Sequence, residues 1–393
     1  LFAVGQPDLN HDNPKVRQEV IDIYKYWLDM GVDGFREDVI TFISKTEGLP
    51  DSHPWLPAAN GYKYYSNGPR VHQYLMEFKR DVLDCYDCFT VGEGPRMEPE
   101  VALSYVREGK DKVLDMMINF AHMEADCFIT DFLQRPFDLV KLKKAFTKWQ
   151  TKMYGKGWNA LYMENHDHPR IISRYGSEKY RVESGKSIAA SYLFQRGTPF
   201  VYQGQEIGMI NTPLPSLDDY KDIMVKNNAR IARSLGLSKE TVLRLAQKAS
   251  RDNARTCMQW SSAPNAGFTN GKPWFVVNSN YKDINVESQL DDPGSILNFY
   301  RNALQFRRDN PVVIYGDYVE HMPKSKELYV YERNLAGKKL LVICSYSEKC
   351  VRFDAPDGIT LDETKQVFGN YDNNFVISNG FTTRPYEMRV YLF

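Results

Sequence analysis

Apolar runs of strand length alternate with amphipathic helical stretches five times in this chain, and polar groups gather just after those runs. The runs cover residues 32–40, 88–93, 113–120, 158–163 and 199–202. Strands joined through helices lie parallel, because the connection must travel back along the sheet before the next strand begins. Polar groups at the ends of several successive strands are the layout of a (β/α)8 TIM barrel, whereas an open doubly wound sheet concentrates them at one switch point. The expected class is α/β, a barrel. Five units are fewer than eight, which fits a chain lacking the front of the barrel.

Asn13-Pro14 reads as a helix start, with Val16, Val20, Ile23, Trp27 and Met30 as its apolar stripe and Gly31 as its stop. Residues 41–70 are a long loop rich in Pro, Asn, Gly and Tyr, a usual home for substrate contacts. Further helices are expected over 68–84, striped by Val71, Tyr74, Leu75, Phe78 and Val82, and over 138–153, 186–195 and 298–308. Residues 207–292 form a polar insertion with a helical piece at 238–249. From 316 short alternating runs separated by turn signals predict an antiparallel β-domain. The expected division is therefore a catalytic portion over 1–315 and an all-β domain over 316–393.

With 50 basic and 50 acidic residues and no Lys/Arg run, neither nucleic acid nor an anionic membrane is the expected partner. No apolar stretch is long enough to span a membrane, and Leu1-Phe2-Ala3-Val4-Gly5 lacks the basic start of a signal peptide. Cys85-Tyr-Asp-Cys88 has the spacing of half a zinc or redox site, but no second pair stands at metal-site spacing. Free thiols in a reducing, cytoplasmic compartment are expected, and no metal site.

The chemistry gathers at strand ends. Within residues 31–40, Arg36, Glu37 and Asp38 interrupt the pattern Val32, Phe35, Val39 and Ile40, and strand alternation puts Arg36 and Asp38 on one face. Buried charge needs a partner or a purpose, so a structural ion pair and a catalytic group are both readings of this stretch. Asp38, Glu93 and Asp167 end three of the candidate strands, and on a barrel rim they converge. P-loop, GxGxxG and HExxH patterns are absent. Two carboxyls flanking a bond are what acetal hydrolysis needs, one ionised as nucleophile and one protonated as acid. Arg36 would keep Asp38 ionised.

These residues resemble glycoside hydrolase family 13, the α-amylase superfamily, and within it the oligo-1,6-glucosidase and α-glucosidase group. Gly34-Phe-Arg-Glu-Asp38 is similar to that family's strand-four motif, Val91-Gly-Glu93 to strand five, Asn165-His-Asp167 to strand seven and residues 197–204 to strand eight. Gln6-Pro-Asp-Leu-Asn10 resembles the motif that marks the oligo-1,6-glucosidase group. The resemblance implies strands four to eight of the barrel, Asp38 as nucleophile, Glu93 as general acid and Asp167 as transition-state stabiliser. It also implies sugar contacts from Arg36 and His166, and from Arg255 in the stretch Arg251-Asp-Asn-Ala-Arg255. Val39, just after the nucleophile, goes in this group with α-1,6 cleavage, and a β-branched strand residue chosen for packing is its bland counterpart. The implied activity is retaining, exo-acting hydrolysis of α-1,6-glucosidic bonds in short isomalto-oligosaccharides. Alternatives are a trehalose-6-phosphate hydrolase, an α-1,4-glucosidase or sucrose-active member, and, in a different class, an inactive sugar-binding homologue.

Departures from the pattern are Glu37, expected to turn away from the substrate; Gly94-Pro95-Arg96, which widens the space after the acid; His168 where Gln is common; and Cys257 where Pro is. The first three βα units are absent, together with a loop calcium site present in some members. A partial barrel has open sheet edges, so a missing N-terminal segment of the same protein is an expected partner beside the small oligosaccharide. No cofactor is expected to be required, with a structural calcium ion confined to the missing segment.

Overall fold

The structure is a computed structural model describing residues 5–48, 50–52, 61–128, 132–372 and 379–393. It divides into two compact units, Leu1–Ala121 with Lys152–Ala160, and His122–Thr151 with Leu161–Phe393.

In the first unit, helix α1 (Pro14–Asp29) begins as expected: the Asn13 side chain accepts the Lys15 N–H at 3.0 Å and Pro14 opens the first turn. Its buried face differs from the expected stripe. Ile21 and Leu28 turn inward, whereas Ile23, Trp27 and Met30 are exposed. Two specific bonds set that rotation. The Arg17 Nε donates to Glu77 at 2.7 Å, and the Tyr24 hydroxyl, its ring edge-on to Phe35 at 4.5 Å, donates to Glu37.

Strand β1 (Gly34–Glu37) is shorter than the run 32–40, and the chain turns at Val39 into a single 3-10 turn, Ile40–Phe42. Of the loop 41–70, Leu49 and residues 53–60 lie outside the described residues; a short helical turn, Tyr62–Tyr65, closes its far end. Helix α2 (Val71–Asp81) buries Val71, Tyr74, Leu75 and Phe78 as the spacing predicts. Strand β2 (Phe89–Glu93) follows, then helix α3 (Pro99–Val106) and strand β3 (Met116–Ile118). The three strands are parallel in the order β1-β2-β3, and a parallel bridge ties Met117 to Asn159.

Glycine permits this close pairing. A Cβ on Gly34 (φ 155°) would sit 1.9 Å from the Phe89 carbonyl oxygen, and one on Gly92 would meet Leu114, Met117 and Ile40 within 3 Å.

Helix α4 (Leu139–Met153), which belongs to the second unit up to Thr151, carries the buried Lys143. Strand β4 (Ala160–Leu161) leads into residues 164–170. Helix α5 (Arg181–Leu193) precedes strand β5 (Thr198–Pro199), and the Phe200 N–H donates to the Leu161 carbonyl at 2.7 Å.

The insertion holds two helices longer than ten residues. The expected piece is α7 (Lys239–Ala249), capped by Ser238, and α6 (Ile223–Ser234) precedes it, capped by Asp222. They close over Val225, Ala229, Ala232, Val242 and Ala246, with Tyr220 and Phe275. Helix α8 (Ile296–Asp309) follows, and a short turn of helix, Pro311–Tyr315, leads into the sheet.

Among the described residues seven strands follow: β6 (Asp317–His321), β7 (Leu328–Leu335), β8 (Lys338–Ser345), β9 (Val351–Asp354), β10 (Gln366–Gly369), β11 (Gly380–Thr383) and β12 (Met388–Leu392). Five form an antiparallel sheet in the order β10-β12-β8-β7-β6, and β11 pairs with β9. Between them lie Leu328, Val330, Leu341, Ile343, Phe353 and Phe381. Helices α4 and α5 are tied to this sheet: the Lys143 ammonium donates to the Leu328 carbonyl at 3.1 Å, and Ser187 Oγ to the Ser345 carbonyl at 2.8 Å.

Candidate active site

Register brings the first group of site residues together. In the β1–β2 pair, Arg36 lies opposite Val91 and Glu37 opposite Gly92, so Asp38 emerges beside Glu93 at the same end of the sheet. Arg36 spans both: Nη1 donates to the Asp38 carboxylate, and Nη2 to Glu93 Oε2 at 2.5 Å. Side chains alternate along a strand, so Arg36 and Asp38 share a face as the sequence predicts.

The two carboxyls differ in surroundings. The Asp38 side chain is 71% exposed and the Glu93 side chain 7%. Burial, reinforced by a hydrogen bond to Asp38, pushes Glu93 up to about 7; Arg36 opposes this and the Asp38 charge adds to it. One guanidinium, Arg36, reaches both carboxyls, which holds them close together rather than on the wide spacing that an inverting enzyme uses to seat a water.

Val39 is outside the strand, which removes strand packing as its rationale. It adopts the left-handed region (φ 38°, ψ 43°), and its N–H points to Glu93 Oε2 at 3.4 Å. For a β-branched residue this conformation costs on the order of 1–3 kcal/mol. The strained peptide thus delivers a donor to the buried acid and helps fix its oxygen.

Glu37 turns away from that face, as expected, and its partner is Tyr24, whose hydroxyl donates to Oε1 at 2.7 Å. Burial above all pushes Glu37 up to about 7; the Tyr24 hydrogen bond works against this and the Asp115 charge adds to it.

Residues 8–10 of the motif Gln6–Asn10 lie elsewhere. They line a cavity of about 1050 Å³ with His11, Lys45 and Tyr64, and neither Asp38 nor Glu93 is among its walls.

In the second unit Asp167 is the hub. Its backbone N–H is taken by the Asn165 side chain at 2.9 Å. Its Oδ1 accepts from Arg255 Nη2 at 3.0 Å and Arg251 Nη1 at 3.1 Å, and His166 Nε2 lies 3.2 Å from Oδ2. Arg255 also donates through Nε to the His166 carbonyl at 2.9 Å, so it holds the carboxylate and the backbone that carries it.

Arg251 and Asp222 were not singled out from the sequence. Asp222 is buried; it caps α6 through the Met224 N–H and accepts from Arg251 Nη2 at 2.7 Å. Burial pushes Asp222 up, but the Arg251 hydrogen bond and charge, with the Met224 N–H, hold it below the usual carboxylate range. The available signal was an acidic residue immediately before a helical stretch inside the insertion.

His168 is buried, with Arg174 Nη1 3.3 Å from its Nδ1, and burial lowers it far enough to keep the ring neutral. Among the described residues no group of three or more His, Cys, Asp or Glu is placed to hold a metal ion. Each unit presents a carboxylate held by guanidinium groups, and in the first that carboxylate stands beside the buried Glu93.

Residues 1–316 match the Alpha-amylase family model, described as alpha amylase, catalytic domain. The whole chain is 44% identical over 397 residues to an oligo-1,6-glucosidase from Parageobacillus thermoglucosidasius, of which it covers 70%. Among solved structures, a trehalose-6-phosphate hydrolase from Bacillus licheniformis superposes with TM-score 0.92 at 39% identity, over 99% of this chain and 70% of that one. An isomaltulose synthase from Klebsiella sp. LX3 superposes with TM-score 0.93 at 33% identity, again over 99% and 70%. The expected fold, a TIM barrel followed by an antiparallel domain, is borne out.

Proposed function

This chain belongs to the α-amylase family of glycoside hydrolases, and we propose that it releases glucose from the non-reducing end of short isomalto-oligosaccharides by cleaving α-1,6-glucosidic bonds with retention. The observation that carries the reading is the guanidinium of Arg36 shared by an exposed carboxylate, Asp38, and a buried carboxylic acid, Glu93.

The chemistry follows from those states. An Asp38 oxygen attacks the anomeric carbon as the bond to the departing sugar oxygen breaks, and the Glu93 proton passes to that oxygen. The product is a β-glucosyl ester of Asp38. Esterification removes the Asp38 charge that helped keep Glu93 protonated, while Arg36 remains. Glu93 is then a carboxylate beside a cation, fit to take a proton from water as the water oxygen attacks the same carbon and Asp38 leaves. Two inversions restore the α configuration.

Asp167, held by Arg251 and Arg255 beside His166, is assigned to hydroxyl groups of the glucose and to the charge that develops in the transition state. Val39 is assigned to linkage choice, where one methyl against one hydroxyl is worth about 1–3 kcal/mol. The proposed reaction needs no cofactor, and the cytoplasm is the proposed location.

A second reading, trehalose-6-phosphate hydrolysis, is favoured by the likeness to the Bacillus licheniformis structure. Relative kcat/KM of the full-length protein on isomaltose, maltose and trehalose-6-phosphate tests the choice. Isomaltose should lead by about tenfold or more; preference for trehalose-6-phosphate selects the second reading.

A further inference from the structure

Three residues to either side of Asp167 in the sequence, Glu164 and Arg170 form a buried ion pair. Arg170 is fully buried and Glu164 nearly so, with Nη1 donating to Glu164 Oε2 at 3.0 Å. Glu164 Oε1 accepts the Ile171 N–H at 2.8 Å. Burying two charges costs desolvation that their attraction scarcely returns, so such a pair is a poor source of stability and a good source of fixed geometry. What it fixes is specific.

Arg170 reaches three other segments. Its backbone N–H donates to Asn211 Oδ1 at 2.9 Å, Nη1 also donates to the Gln203 carbonyl at 2.8 Å, and Nη2 makes a long contact of 3.5 Å with the Ala254 carbonyl. The Arg170 guanidinium lies 5.4 Å from the centre of the Tyr202 ring, and the Tyr202 hydroxyl donates to that same Ala254 carbonyl at 3.0 Å. Gly204 leaves the room for this: a Cβ there would lie 3.1 Å from Arg170 Nη1 and 2.4 Å from Met209 Sδ.

Ala254 stands between Arg251 and Arg255 in the short 3-10 turn that carries both guanidinium groups onto Asp167 Oδ1. We propose that Tyr202 and the Glu164–Arg170 pair are positioning residues that grip the Ala254 carbonyl and so set both arginines on Asp167. This rests on the reading of Asp167 as a group that acts in the transition state. Residues 164–170, the segment after β5 and the 251–255 turn are locked to one node, so Asp167 and its two cations move together or not at all. Charge-assisted bonds depend steeply on geometry, and a shift of the turn loosens both arginines at once.

Tyr202→Phe tests this in the full-length protein, because it removes one hydroxyl and keeps the ring under Arg170. Turnover of an aryl α-glucoside should fall about fivefold, the scale of one hydrogen bond, with KM and the thermal midpoint nearly unchanged. In an Arg251→Lys/Arg255→Lys background the same change should add little, since both arginines it positions are already gone. Equal losses in both backgrounds, or wild-type kcat in Tyr202→Phe alone, would overturn the positioning role. Arg170→Lys and Glu164→Gln are harsher probes, and their folding is checked by circular dichroism before kinetics. Asp167→Asn separates the two levels: if it keeps wild-type turnover, the reading of Asp167 itself fails, whatever Tyr202→Phe does.

Discussion

Asp38 and Glu93 carry the same functional group at the ends of neighbouring strands, and the difference in burial leaves one a nucleophile and makes the other an acid. Because Glu93 is pushed up to about 7, kcat/KM should fall on the alkaline side with a midpoint near pH 7, where the acid loses its proton. A profile flat to pH 9 would contradict this assignment.

Glu37, one residue away, makes an independent pH prediction. Its folded value of about 7 stands above the ordinary carboxyl value, so the neutral form is favoured by folding. Its contribution to stability is present below the unfolded value and is lost as pH rises through about 7, a change on the order of 3 kcal/mol. Glu37→Gln should flatten the pH dependence of the thermal midpoint between pH 5 and 8 and raise the midpoint at pH 8; an unchanged curve would exclude it. Asp38, Glu93, Arg36 and Asp167 were legible because charged residues at the ends of apolar runs are conspicuous. The Tyr24 partner of Glu37 was not, since thirteen residues and a turn separate two groups that only packing brings together. The left-handed Val39 was hidden too, because valine is a residue that sequence patterns assign to strands.

At the scale of elements, helices with a strong apolar period were readable, as α2 shows, and those with competing periods were not. In α1 two apolar stripes share one helix, and the choice between them falls to Arg17 and Tyr24, whose partners are distant in sequence. Helix α6 escaped because its buried face is largely alanine and valine. Its cap, Asp222, joins the insertion to chemistry by holding Arg251 against Asp167. Asn caps helices about as well as Asp but carries no charge. Asp222→Asn should therefore keep the melting temperature within a few degrees and lower kcat roughly tenfold through a loosened Arg251. Equal turnover in the variant would reduce Asp222 to a helix cap.

At the scale of the molecule, the alternation of strands and helices was enough to give the barrel class, since parallel pairing leaves few alternatives. The short strands β4 and β5, only two residues each, show why boundaries were not: their flanking residues continue as extended loops that carry side chains to the site. The sequence divides naturally where the β-sheet begins, yet α4 and α5 share buried bonds with β7 and β8 through Lys143 and Ser187. Amide exchange in α5 and β8 should accordingly show one common opening free energy, and early exchange of the sheet alone would contradict that coupling.

The central claim, that Asp38 is the nucleophile of a retaining α-glucosidase, is tested most directly by trapping the glucosyl-enzyme with a slow fluorinated glucosyl fluoride and mapping the label by mass spectrometry. A hexosyl adduct is expected on the peptide containing Asp38 and not in Asp38→Asn; an adduct on another carboxylate, or none while turnover continues, would rule Asp38 out as the nucleophile.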